Sequence, residues 1–508
     1  MNPAFSLGAG LRDAAPGGEE GAARGAIAAL GAERHNSAMS ESEARFNVLR
    51  QSADPLAAAA IEKLVREGSD RDLHRINVLD FAATNGLPVD RALDAFLHGT
   101  RLGLFEMSWN VLCPGCGGVL NSNATLKTIH QGSYACALCA AGYEPTLDEM
   151  VEVAFTVSPR VRAIAAHNPD TLPIWEYTRQ MFWSSGVELP ANFTDTEVVE
   201  RFVIDWTEIG PGEKATMSLQ LPAAFVILFE PVTHAAHFLD VQGEPTRERQ
   251  EFGVVFNSVQ APTGTAKMRP GPLRLTMENR SNSRVLPGLY MAGDELHHML
   301  GRRKKFLTAR TLLTNQTFRD LFRADMLEID QRLKITSLTF VFTDLKASTE
   351  LYERVGDLAA YDLVKSHFGV LHDVVAGESG AVVKTIGDAV MASFPTPDRG
   401  VAAVLRMREA MNELNAKRRS EDLLLKIGIH EGPCLAVTLN DRLDYFGQTV
   451  NIASRVQGLA SSRSIFATEP VVHHPDAARV LAQAGITPVA QRYALRGIAD
   501  ALTVYEIP

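Results

Sequence analysis

The sequence predicts a multidomain α/β (α+β) protein: a helical bundle, a cysteine-bearing ribbon, a β-sandwich-like middle region and a C-terminal α+β domain. Three observations carry this prediction. The chain has 508 residues, more than one hydrophobic core organises. Its apolar pattern changes period, from helical spacing before residue 110 to alternation between 148 and 300. Two Cys-x2-Cys pairs separate those stretches.

Residues 1–43, rich in Gly, Ala and Glu, read as a disordered tail, since they lack the basic start and apolar run of a signal peptide. Residues 44–110 hold "DPLAAAAIEKLVREG", "LHRINVLDFAATNG" and "PVDRALDAFLHGTRLGLF", three short helices broken by Gly and Pro. Such a winged-helix-like module suits DNA or protein contacts. Residues 1–150, however, hold 12 Lys+Arg against 18 Asp+Glu, a balance of −6, which favours a structural or dimerising bundle.

Cys113, Cys116, Cys136 and Cys139 lie in residues 111–147 with zinc-ribbon spacing. Each pair offers two thiolates from one turn, and four of them close a tetrahedron around one structural Zn²⁺. Residues 148–300 alternate as strands, with Leu273, Leu275 and Met277 on one face, and form a β-rich regulatory domain. The basic run 302–305 reads as a solvated helix start. In 301–333, Phe318, Phe322, Met326, Ile329 and Leu333 recur at helical spacing and predict one linker helix.

The chemistry lies in residues 334–508. "ITSLTFVFTDLKAST" is a buried strand that delivers Asp344 to a turn bearing Ser348 and Thr349. "KTIGDAVMASF" is a hairpin whose turn presents Asp388, with Lys384 four residues earlier. Two carboxylates at strand ends suit hard divalent ions such as Mg²⁺ or Mn²⁺. In "DYFGQTVNIASR", Asp444 precedes a helix that carries Asn451 and Arg455 on one face.

These segments, with "IGIHEGP" and the closing "LRGIADALTVYEI", resemble the class III nucleotide cyclase catalytic domain, a ferredoxin-like fold. The region before them resembles a poorly characterised domain found ahead of some bacterial cyclases. The resemblance implies that Asp344 and Asp388 bind two Mg²⁺ or Mn²⁺ per active site, and that Lys384 and Asp444 read the purine. It implies that Asn451 orients the ribose, Arg455 stabilises the transition state, and Ser348, Thr349 and Arg496 meet the phosphates. Ala347 departs from the usual Gly of the phosphate-facing turn. The family's sites are shared between subunits, so a homodimer that converts ATP to cyclic AMP is expected.

The residue chemistry supports ATP independently. Adenine presents an acceptor at N1 and a donor at N6, matching a lysine that only donates and a carboxylate that only accepts. A guanylate or mixed-specificity cyclase and a catalytically silent signalling module are the alternatives. A net charge of −10 argues against a general nucleic-acid partner. No run approaches the roughly 20 apolar residues of a membrane helix, and paired thiols without an export signal predict a cytoplasmic setting.

Overall fold

The computed structural model describes residues 41–508 except 131, 194–198, 258–262, 324–326, 329, 347, 420–422, 440–441, 461–463 and 499–500. The expected tail falls almost wholly outside these residues, as do Met326, Ile329 and Ala347.

The first unit is helical. Helix α1 (41–52) leads into α2 (Pro55–Glu67), α3 (Val78–Thr84) and α4 (Val89–Arg101). Asp54 caps α2 by accepting from the Leu56 and Ala57 amides at 2.9 and 3.1 Å, and Asn77 caps α3 by accepting from Leu79. The chain then enters strands β1 (Phe105–Leu112) and β2 (Val119–Asn123), the small hairpin β3 (Tyr134–Cys136) and β4 (Ala141–Tyr143), and β5 (Val151–Val157). Strand β1 is central, with β2 and β5 antiparallel on either side. The boundaries expected at 110 and 147 therefore cut through one sheet. The reason is non-local: β1 pairs with β5 from Phe105–Val157 to Val111–Val151, a closure that no local pattern signals.

The middle region follows a short α5 (Ile174–Tyr177). Its strands are β6 (Val203–Trp206), β7 (Lys214–Leu221), β8 (Phe225–Glu230), β9 (Ala235–Val241), β10 (Gln250–Phe256), β11 (Thr263–Met268), β12 (Gly271–Asn279) and β13 (Gly288–Met291). They form a five-stranded sheet, β11-β9-β8-β13-β6, and a three-stranded sheet, β10-β12-β7. Leu228 and Leu239 of the first share a core with Leu273, Leu275 and Met277 of the second.

The single linker helix expected over 301–333 is absent. Helix α6 (Asp294–Gly301) ends before the basic run, and two short helices follow, α7 (Ala309–Leu313) and α8 (Gln316–Leu321). Thr308 and Asn315 start new helices by accepting from the Thr311 and Phe318 amides at 3.3 and 2.8 Å. Leu333 already lies in a strand. The basic run is extended rather than a helix start. Arg303 donates to the Gly115 and Cys116 carbonyls at 2.7 and 2.9 Å, and Lys304 pairs with Asp80.

The last unit is a mixed sheet built from β14 (Arg332–Leu345), β15 (Ala381–Ile386), β16 (Ala389–Phe394), β17 (Leu425–Leu439), β18 (Arg442–Phe446), β19 (Ile465–Thr468), β20 (Val489–Tyr493) and β21 (Leu502–Ile507). The order is β15-β16-β14-β17-β19-β21-β20, with β18 paired to β17. Its helices are α9 (Ser348–Val355), α10 (Asp357–Gly377), α11 (Pro397–Arg418), α12 (Gln448–Leu459), α13 (Glu469–Val472) and α14 (Pro475–Gln483). Helices α10 and α11 bury one core with Val341, Phe394 and Ile429. Phe340, Phe342, Met391, Ala436 and Tyr445 belong to a different core, shared with Phe96, Trp109 and Phe318 of the preceding half. The two halves are thus fused through one hydrophobic seam. No helix among the described residues is long and apolar enough to cross a membrane.

Candidate active site and cysteine centre

Strand β14 is buried from Leu338 through Thr343 and brings Asp344, partly exposed, to the end of the sheet opposite Lys426 of β17. The β15–β16 hairpin closes through Gly387 and Asp388, with Ile386 paired to Ala389. Gly387 has φ +65°, which a two-residue hairpin of this kind requires and glycine supplies without strain. The turn brings the charge of Asp388 within electrostatic reach of Asp344. Burial raises the Asp344 carboxyl above its ordinary pKa, and the like charge of Asp388 adds to the rise. Lys426, 3.9 Å away, and a hydrogen bond from Gln457 oppose it.

Asp388 Oδ2 is buried without a hydrogen-bond partner among the described residues. An orphaned carboxylate oxygen beside a second, charge-repelled carboxylate is a donor set that fits a hard divalent cation. Sequence reasoning missed His367 of α10, which is fully buried near Asp388 with both ring nitrogens unpartnered among the described residues. Burial pushes its pKa down to about 4, with Asp388 opposing, so it is neutral at pH 7. Its only sequence signal is a polar residue on the apolar face of a helix.

A second cluster forms from the same hairpin. Lys384 Nζ donates to Asp444 Oδ2 at 2.5 Å. Asp444, on β18, is buried, and its Oδ1 accepts from the Tyr445 amide at 2.8 Å. Lys384 is more open and follows a β-bulge, where the β15–β16 register shifts between Val382 and Lys384. Among the described residues, no hydrogen bond or ion pair joins this cluster to the two metal-type aspartates.

On α12, Asn451 is exposed and Arg455 half-buried, one turn apart. The Arg455 guanidinium lies against the loop that carries Arg496: a Cβ on Gly497 would sit 3.3 Å from Nη2. Arg496 itself is exposed. Ser348 and Thr349 open α9, and their side chains lie outside the described residues.

The four ribbon cysteines converge, with all sulfurs within 4.8 Å of one another. Cys113 Sγ is 3.7 Å from Cys139 Sγ, and Cys116 Sγ is 3.7 Å from Cys136 Sγ. A Cβ on Gly115 would come within 3.1 Å of the Cys139 sulfur, so the knuckle closes tightly only around glycine. Hydrogen bonds from the other three thiols depress the Cys113 pKa, whereas Cys116, as a donor to its neighbours, has its pKa raised. One thiolate forms readily and opposes the next, a conflict that a dication within the quartet removes. The Arg303 fork at the Gly115 and Cys116 carbonyls ties this knuckle to the segment leading into α7.

Comparison with known proteins agrees with this division. Residues 39–320 match a family of unknown function, DUF5939, and residues 331–497 match the adenylate and guanylate cyclase catalytic domain. Adenylate cyclase 2 of Rhizobium meliloti (strain 1021) is 32% identical over 132 residues, 24% of this chain and 36% of that protein. The adenylate cyclase of Anabaena cylindrica is 24% identical over 185 residues, again 36% of its own length. The chain thus spans about a third of each of these relatives. The adenylyl cyclase CyaB from P. aeruginosa, a solved structure, is 23% identical, with 35% of this chain and 96% of that chain covered at a TM-score of 0.31. The chain belongs to the DUF5939 family and carries, at residues 331–497, a class III adenylate/guanylate cyclase catalytic domain.

Proposed function

We propose that the chain is an adenylate cyclase that converts ATP to 3′,5′-cyclic AMP and pyrophosphate at composite sites of a homodimer, under control of its N-terminal region. The observation that carries this reading is the Lys384–Asp444 pair, a donor-only group held 2.5 Å from an acceptor-only group. Spread over the edge of a purine, the two complement adenine N1 and N6 and oppose guanine.

The reaction joins the ribose 3′-oxygen to the α-phosphorus and breaks the bond to the β-phosphate. The hydroxyl proton passes to water, and pyrophosphate leaves. Two Mg²⁺ or Mn²⁺ ions, held by Asp344 and Asp388, supply acidification of the hydroxyl and neutralisation of the leaving group when bound. Asn451 holds the ribose so that its 3′-oxygen lies in line. Arg455 presents a planar cationic fork to the oxygens on which charge develops. Ser348, Thr349 and Arg496 contact the triphosphate.

Lys384 pairs with Asp444 rather than with Asp388 of its own hairpin, which supports a shared site. The lysine, asparagine and arginine of one protomer would serve nucleotide bound to the aspartates of its partner. The cysteine quartet would hold one structural Zn²⁺, and the absence of a disulfide among its sulfurs suits a reducing cytoplasm. The test uses the purified full chain with Mn²⁺ or Mg²⁺ and either ATP or GTP. Cyclic AMP from ATP, with GTP at least tenfold poorer in kcat/KM, is expected. Equal turnover of GTP would defeat the adenylate assignment.

A further inference from the structure

Helix α8 belongs to the matched DUF5939 region, yet it touches both strands that carry the purine-reading residues. Gln316 Oε1 accepts from the Val382 amide of β15 at 2.8 Å. Arg319 Nη2 donates to the Leu443 carbonyl of β18 at 2.7 Å. Val382 opens the bulge that precedes Lys384, and Leu443 immediately precedes Asp444. Gln316 and Arg319 are three residues apart and so share one face of the helix.

The Arg319 contact is buried and the Gln316 contact half-buried. Strand β15 is the edge of its sheet, and the Val382 amide is satisfied by Gln316. Gln316 is itself oriented by its amide group, which donates to Asp320 at 3.2 Å. Arg319 is only 8% exposed, and among the described residues its hydrogen bonds run to the Leu443 and Leu313 carbonyls, with no carboxylate among them. Its guanidinium stands 6.0 Å from the centre of the Tyr445 ring, and the Tyr445 hydroxyl donates to the same Leu313 carbonyl at 3.3 Å. A buried cation directed at a backbone carbonyl holds position strongly, because its removal strands the acceptor.

Resting on the adenylate cyclase reading above, we propose that Gln316 and Arg319 are positioning residues that set the spacing of Lys384 and Asp444, so that the N-terminal domain governs purine selectivity. The helix fixes the backbone just before each reader, and the Lys384–Asp444 contact closes the loop on the far side. Base reading by two opposed groups depends on their separation to within tenths of an ångström. A helix that moved with the state of the N-terminal domain would therefore change nucleotide affinity before it changed the chemical step.

The experiment compares the full wild-type chain with Arg319→Met and Gln316→Met, using Mn²⁺ and both ATP and GTP. The kcat/KM ratio of ATP over GTP is expected to fall at least tenfold in Arg319→Met and in the same direction in Gln316→Met. The change should appear in KM for ATP, with kcat altered less than threefold. A merely structural role would lower active-enzyme content, and hence kcat, for both nucleotides alike. Ratios within twofold of wild type in both variants overturn the proposal, and if Arg319→Met does not fold, Gln316→Met decides alone. If the wild type turns over neither nucleotide, the cyclase reading fails, and binding of α,β-methylene-ATP decides the positioning role. Binding at least tenfold weaker in the variants supports it, and equal binding overturns it.

Discussion

Replacing Phe318 by alanine tests whether the two halves of the chain fold as one body. The ring is 1% exposed, stacks on Phe322 at 5.3 Å and meets the edge of Trp109 at 5.9 Å. It shares a core with Phe96 on one side and with Phe340 and Met391 of the catalytic sheet on the other. Truncation of such a ring leaves a cavity and costs about 3–5 kcal/mol, which includes the lost ring–ring contacts. Against a whole-protein stability of about 5–15 kcal/mol, a loss near 4 kcal/mol is large. Urea unfolding reads it out with two probes. The four tryptophans, at 109, 175, 183 and 206, report the first half through fluorescence, and nucleotide turnover reports the second. Both transitions should shift together by about 4 kcal/mol. A fluorescence midpoint that moves while the activity midpoint stays fixed would refute a shared core.

Asp388→Ala and Arg455→Ala should each lower kcat by about 10²–10³-fold or more. An equal mixture of the two chains should regain about a quarter of wild-type activity, because half of the dimers are mixed and each holds one intact site; no regain with dimers confirmed would exclude a shared site. Burial holds His234 and His430 at pKa values of about 4, below the unfolded value near 6.5. Their contribution to stability is therefore complete above pH 6.5 and lost as pH falls toward 4, each steepening the decline by up to about 1.4 kcal/mol per pH unit. His430→Gln should flatten that slope in a pH series of melting curves, and an unchanged slope would contradict the assignment. Cys116→Ser should remove the one zinc expected per chain by metal analysis and lower thermal stability. Full zinc retention would show that the ion lies elsewhere.

The placement of the candidate site residues was legible because each lies in a local element. A strand ending in Asp344, a Gly387–Asp388 turn and a helix bearing Asn451 and Arg455 are each specified by a few neighbouring residues, and the order of the segments supplied the rest. The cysteine quartet was legible for the same reason. What the pattern hid is pairing between distant segments. The stripe through Phe318 and Phe322 looks the same on a long free helix as on a short one pressed into a core. Only Thr308 and Asn315, both good caps, marked the breaks, and their capping signal is weaker than the apolar period. Arg303 gave no sign that it would reach the cysteine knuckle nearly 190 residues away. His367 was hidden by its neighbours, since one polar residue among apolar ones does not disturb a helical period.

The seam between the halves also governs how the protein can be divided. A polypeptide beginning near residue 331 would keep Asp344, Asp388, the Lys384–Asp444 pair and Arg455. It would also expose Leu333, Ile335, Phe340, Phe342 and Tyr445, which the intact chain keeps buried. Such a contiguous oily surface drives self-association in water. Excising this domain from its companion would thus yield a sticky fragment, and the front half serves the back half as a solubilising cover.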